Sequence, residues 1–291
     1  DHRDLHLSLR RQRQMCIRDS DKGLGKSTLA FHLVNYILSI NEENPYIVKE
    51  FKINPDNKSY KLVINGSNPN LLLVDILSEK KNIDIDQIRE LINNLNKSSF
   101  NTKERFIIID NIETLNISSI NALLKILEEP PPNTFFILIN NDRFILPTLK
   151  SRCINFKISL DHKTSISVIN KILDDDITKF INKDLINYYL TPGQIYHLIE
   201  FFKLQKHDLK DYDLKSFIKL VIKDNLYKKN TLIKNIIFEY LEFYFLTKVK
   251  LAKSRTFEYY DYFLKRINDT KKFNLDEESL FMEFEYKILN G

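Results

Sequence analysis

Tryptophan is absent from this 291-residue chain, glycine occurs five times and cysteine twice. Cys16 and Cys153 are too few to frame a disulfide scaffold or to supply a four-cysteine zinc site, and such usage suits a reducing cytoplasm. No apolar run approaches the roughly 18 to 20 residues that a membrane-spanning helix requires. Charge of one sign is also missing: 44 Lys and Arg face 39 Asp and Glu, a net of +5, so any nucleic-acid contact has to be argued locally. What remains, 43% hydrophobic and 29% charged residues, is the balance of a soluble globular chain, and its length predicts two or three domains.

The first 21 residues stand out. They alternate arginines with polar residues, show neither helical nor strand periodicity and lack the apolar centre of a secretory signal. Gln12 to Ser20 resembles peptide runs translated from sequencing adapters. The expectation is a non-native or disordered tail over 1–21, with interpretable sequence from Lys22 and an N-terminal strand missing.

From there a phosphate-binding pattern begins. Gly23-Leu24-Gly25-Lys26-Ser27-Thr28 holds the second half of G-x-x-x-x-G-K-[ST], although Ser20 occupies the slot of the first glycine. Leu29, Leu33, Ile37 and Ile40 follow at the spacing of a buried helical face. Glycines let backbone N–H groups turn toward phosphate oxygens, and a helix N-terminus favours their negative charge. Lys26 is then the residue that reaches the β- and γ-phosphates, and Ser27 the magnesium ligand of a bound ATP.

Apolar runs at Leu71 to Ile76, Phe106 to Ile109 and Thr134 to Ile139 alternate with helical patterns around Ile88 to Leu95 and Ile120 to Leu127. Such alternation predicts a parallel sheet covered on both faces. Asp84 or Asp86 is expected to cap the first of these helices and Ser118 or Ser119 the second, while Pro130-Pro131-Pro132 stops it. Asp110 ends a buried strand where open α/β sheets place ligand-binding groups, and it is suited to holding magnesium through water. In hydrolysing proteins of this architecture a glutamate usually follows to polarise the attacking water. Here Asn111 follows, an amide that is a poor general base, and the nearest acid is Glu113.

The stretch Asn121-Ala122-Leu123-Leu124-Lys125-Ile126-Leu127-Glu128-Glu129-Pro130-Pro131-Pro132, with Pro147-Thr148-Leu149-Lys150-Ser151-Arg152-Cys153 after it, resembles the delta-prime family of bacterial DNA polymerase III clamp-loader subunits. Ser67 to Leu73 and Ile85 to Leu91 fit the same family, and the resemblance covers about residues 22–200. It implies an AAA+ phosphate-loop domain over 22–160, a small helical lid over 161–202 and a helical collar for oligomerisation over 203–291, an α/β plus all-α architecture. It implies that Arg152 is an arginine finger presented to ATP on a neighbouring subunit, a group able to contribute on the order of 10³ to 10⁵ in rate. It places a phosphate-sensing amide at Asn140 or Asn141, and puts Gln194 where active relatives carry an arginine for their own nucleotide. Cys153 is read as a small buried apolar residue. Many delta-prime chains carry a four-cysteine zinc module after the first helix, but 41–70 contains no cysteine, so no zinc is expected.

After Ser159 glycine returns only at Gly193 and Gly291, and apolar residues recur at helical spacing, so the second half is expected to be all-helical. Leu232, Ile236, Ile237, Tyr240, Leu241, Tyr244 and Phe245 read as core. Tyr259, Tyr260, Tyr262 and Phe263 beside Lys265 and Arg266 offer a single-strand stacking reading, which Glu258 and Asp261 weaken. The function expected is a cytoplasmic, bacterial stator with weak or absent ATPase of its own. It assembles with tau/gamma and delta subunits and helps load the sliding clamp on primed DNA, with no membrane role. The alternative is a self-contained AAA+ motor of the tau/gamma kind; a small phosphate-loop kinase or helicase-like ATPase fits the helical half and the Ser-Arg-Cys turn less well.

Overall fold

The computed structural model describes residues 21–78, 80–96, 103–141, 146–249, 255–273 and 275–289, with 14–18 in addition; for 14–18, 248–249 and 255–258 only the backbone is considered. The chain divides into two compact units, Asp1–Leu160 and Asp161–Gly291.

The first unit runs β1 (Gln14–Arg18), α1 (Lys26–Ser39), α2 (Lys58–Ile64), β2 (Leu71–Val74), α3 (Ile85–Asn96), β3 (Arg105–Ile109), α4 (Ile117–Glu128), β4 (Thr134–Ile139), α5 (Pro147–Lys150) and β5 (Ile154–Lys157). Among the described residues the strands form one sheet in the order β2-β3-β4-β1-β5, with every paired neighbour parallel. The central strands show why unbroken apolar runs predict this arrangement. Ile107, Ile109, Phe136 and Leu138 join a cluster with Ile88, Leu91, Leu123 and Leu127 of α3 and α4. Their alternate neighbours Phe106, Ile108, Ile137 and Ile139 join Ala30, Val34 and Leu38 of α1. A strand's side chains alternate between faces, so a sheet with helices on both sides needs apolar residues at every position.

Three features of this unit differ from the sequence reading. First, a strand is present before the phosphate loop: β1 lies between β4 and β5, with Cys16 in register with Leu138 on one side and Asn155 on the other. Met15-Cys16-Ile17 is too short a run to carry a periodic signal, and a strand between two parallel neighbours is held through backbone groups that composition does not report. Residues 1–13, 19 and 20 of the expected tail lie outside the described residues. Second, the buried stripe of α1 is Lys26, Ala30, Val34 and Leu38, whereas Leu29 and Ile40 are 52% and 55% exposed. Positions i, i+4 and i+8 share a face, so packing Ala30, Val34 and Leu38 on the sheet carries Lys26 inward with them. Third, α4 is capped by Asn116, whose side chain accepts the Ser119 N–H at 2.8 Å, and not by either serine. The helix starts one residue earlier than the first serine, which places both serines inside its first turn.

The second unit contains α6 (His162–Leu173), α7 (Lys183–Ile186), α8 (Pro192–Leu204), α9 (Leu214–Lys223), α10 (Leu226–Lys229), α11 (Thr231–Val249), α12 (Arg255–Phe273) and α13 (Glu277–Phe284). Side chains of Asp161, Asn182, Thr191, Asp213 and Asp276 cap five of these helices, satisfying N–H groups that have no partner within the helix. One hydrophobic cluster extends from Ile169 to Leu289, so residue 202 lies inside a continuous core. The stripe on α11 is core as read: Ile236, Ile237, Tyr240, Leu241, Tyr244 and Phe245 are buried. The Tyr240 hydroxyl donates to the Leu185 carbonyl at 2.9 Å. On α12 Phe263 is buried and stacks on Phe245, and Tyr262 donates to Glu283 at 2.8 Å, while Tyr259 and Tyr262 keep exposed rings.

The cap assignment is testable. Asn116→Ala is expected to cost about 1 kcal/mol in urea unfolding, while Ser118→Ala, at an exposed first-turn position, stays within about 0.5 kcal/mol of the wild type.

Candidate functional site

The site assembles where β3 and β4 end and α1 begins. Gly23 and Gly25 hold φ of 91° and 78°, backbone that glycine adopts without steric cost. Gly25 immediately precedes α1, its carbonyl accepts the Leu29 N–H at 2.9 Å, and the first turn of α1 carries no acidic residue. That leaves the positive end of the helix dipole uncompensated by any side chain of its own turn.

Lys26 enters this end only 3% exposed, and its Nζ donates to the Asp21 carbonyl at 3.2 Å. Burial holds its pKa below the usual lysine value, although Glu113, Asp110 and Asp21 each pull it back upward. Ser27 Oγ donates to Asp110 Oδ2 in a close contact. Asp110 Oδ1 accepts the Asn111 N–H at 2.8 Å and the Asn141 side-chain amide at 3.1 Å. Thr28 lies on the exposed side of the helix.

The two amides expected at the sensing position differ in their surroundings. Asn140 is fully buried immediately after β4, and it is Asn141 that reaches the acids: its amide bridges Asp110 and Asn111 Oδ1 (2.9 Å), and its backbone N–H donates to Glu113 Oε2 at 3.0 Å. Asn111 adopts φ of 56°, and its Nδ2 is bound to Asp75 Oδ1 at 2.7 Å. The left-handed residue turns the chain into a short 3₁₀ segment, Ile112–Thr114, which carries Glu113 round to Asn141. Glu113 was visible in the sequence only as the nearest acid; Asp75, at the end of a neighbouring strand, gave no signal at all.

These residues fit a magnesium-bound nucleotide. A hydroxyl and a carboxylate already in contact, Ser27 and Asp110, are the hard oxygen donors that magnesium takes. The Gly23–Gly25 turn and Lys26 supply the cationic, N–H-rich side. The arrangement supports binding; its acid is not where a water-polarising glutamate is expected.

Arg152 has different partners. Its Nε donates to Glu128 Oε1 at 3.1 Å and its Nη1 to the Thr148 carbonyl at 2.9 Å. Its side chain is 33% exposed. Cys153 packs against the cluster under α3 and α4 but is half-buried, less enclosed than the buried residue expected. Gln194 forms a reciprocal capping box with Thr191, donating its N–H to Oγ1 and accepting the Thr191 N–H at 2.8 Å, so it serves the start of α8.

With this geometry established, the comparisons are decisive on family. Residues 7–162 match the family model described as DNA polymerase III, delta subunit. The chain belongs to that family. It is 29% identical over 211 residues, 67% of its own length and 62% of the relative's, to DNA polymerase III subunit delta' of Buchnera aphidicola subsp. Schizaphis graminum. Over 78 residues, 26% of this chain and 23% of the relative, it is 41% identical to the delta' subunit of the Baizongia pistaciae subspecies. It is also 36% identical over 88 residues, 30% of this chain and 23% of the relative, to a DNA polymerase III subunit gamma from Buchnera. The chain thus spans less than two thirds of the length of these curated relatives.

The buried ammonium generates a prediction. Because its folded pKa is depressed, the unfolded chain holds this proton more firmly. The charge therefore lowers stability at neutral pH, and stability recovers as pH rises through the folded pKa toward the usual lysine value. Lys26→Met is expected to raise the melting temperature by about 2–4 °C. The same change weakens Mg-ATP binding, followed by a fluorescent analogue, by more than about tenfold.

Proposed function

We propose that this chain is a delta-prime-type subunit of a bacterial clamp loader, a stator that completes the ring and acts through the ATP of its neighbours. The observation that carries this reading is a contrast within one unit. Asn111, where an autonomous ATPase needs an acid, is turned left-handed and bound to Asp75, while Arg152 keeps its charge at the surface. A guanidinium is permanently charged and offers a rigid set of donors suited to phosphate oxygens. Presented by one subunit to another's phosphoryl group, it makes hydrolysis depend on assembly.

Within this reading the Gly23–Gly25 turn, Lys26, Ser27 and Asp110 hold ATP and magnesium, and Asn141 and Glu113 order the acid side of the site. When bound, magnesium neutralises phosphate charge. The chain's own residues bind and orient; none is placed as an efficient base, so turnover in isolation is slow. Residues 161–202 act as lid and 203–291 as collar, with tau/gamma and delta subunits as ring partners and the clamp and primed DNA reached through the complex. No helix among the described residues is long and apolar enough to cross a membrane, and a cytoplasmic location in a bacterium is part of the proposal. The second reading, a tau/gamma-like motor, draws on the gamma relative and on the Lys26, Ser27 and Asp110 constellation. Robust ATPase by the isolated chain would favour it.

The deciding experiment is clamp- and primed-DNA-stimulated ATPase of a loader reconstituted with this chain. Arg152→Ala is expected to lower the rate by about two orders of magnitude or more, with ring assembly intact by size-exclusion chromatography. An unchanged rate would remove the trans-acting role.

A further inference from the structure

The guanidinium of Arg152 is held in a specific orientation. Glu128, the last residue of α4, accepts through one oxygen, Oε1, from both Nε and Nη2 of Arg152. On the other side Nη1 donates to the Thr148 carbonyl within α5 at 2.9 Å, with a longer contact to Ser151 Oγ at 3.4 Å. Nε and Nη2 share the side edge of the guanidinium, so Glu128 engages that edge. The second N–H of Nη2, on the end edge, has no acceptor among the described residues and is available to a phosphate oxygen. Both partners keep access to solvent, with side chains 33% and 52% exposed. A pair of that kind adds little to stability. It does restrict a side chain that otherwise samples many rotamers.

We infer that Glu128 is a positioning residue for Arg152, fixing the side edge of its guanidinium so that the remaining Nη2 donor is prepared for the phosphate of a nucleotide on another subunit. This rests on the trans-acting role proposed for Arg152. Holding a charged donor in its working orientation moves the cost of ordering it from the reaction to folding, and therefore acts on turnover more than on substrate affinity.

In the reconstituted loader, Glu128→Ala is expected to lower kcat by about tenfold while KM for ATP changes by less than about twofold. Glu128→Gln keeps an oxygen that accepts from Nε and is expected to lose only about two- to threefold. In the Arg152→Ala background, Glu128→Ala should produce no further loss, because nothing is left for it to orient. In the isolated chain, the Arg152 Nε–H resonance should exchange slowly with water and become fast-exchanging in Glu128→Ala. Wild-type kcat in Glu128→Ala alongside a crippled Arg152→Ala would overturn the positioning role and leave the arginine's own role standing. An equal fall in both backgrounds, or an Nε–H that stays protected without Glu128, would also overturn it. Full activity of Arg152→Ala would remove the trans-acting reading and this one with it.

Discussion

The contact between Ser27 at the start of α1 and Asp110 at the end of β3 is the point on which the first unit's chemistry depends. It joins the phosphate-binding helix to the strand whose carboxyl end defines the site. With the helix anchored there, Lys26 turns inward, and Ala30, Val34 and Leu38 follow along the same stripe against the sheet. The other oxygen of Asp110 receives Asn141, which reaches on to Glu113. One carboxylate thereby ties together the ends of two strands and the beginning of a helix.

Much of the scaffold was legible in the sequence because its physics is local. Phe106 to Ile109 and Thr134 to Ile139 announce central strands, since apolar residues at both parities leave no face for water. The helical half is legible from its near lack of glycine and its repeating apolar stripes. Faces and partners were harder to read. Leu29 and Ile40 have the right spacing for a buried face, but the packing of Ala30, Val34 and Leu38 on the sheet selects a neighbouring stripe. Asn116 caps α4 because the backbone turns one residue sooner than the serine pattern implied. β1 takes its place through pairing with strands far along the chain, which a three-residue apolar run does not foretell.

At the site, residue types were readable and relations were not. Lys26, Ser27 and Asp110 come together as their pattern implies, while the different surroundings of Asn140, buried, and Asn141, bound to Asp110 and Glu113, depend on how the chain leaves β4. Glu128 and Arg152 lie 24 residues apart, on the end of one helix and just past another. Only the packing of α4 beside the Ser-Arg-Cys turn brings them together. Sequence reading finds chemistry in motifs; the side chains that orient it come from elsewhere in the chain.

The left-handed backbone of Asn111 also bears on which side chains this position accepts. Asparagine is among the side chains that tolerate this conformation best, and its amide donates to the carboxylate of Asp75. A glutamate arriving at this position would lose that bond, meet a negative charge in its place and sit on backbone it disfavours. Asn111 is thus fixed by two local constraints at once, its backbone and its neighbour, and an acid at this position would have to be accommodated by a change at Asp75 as well.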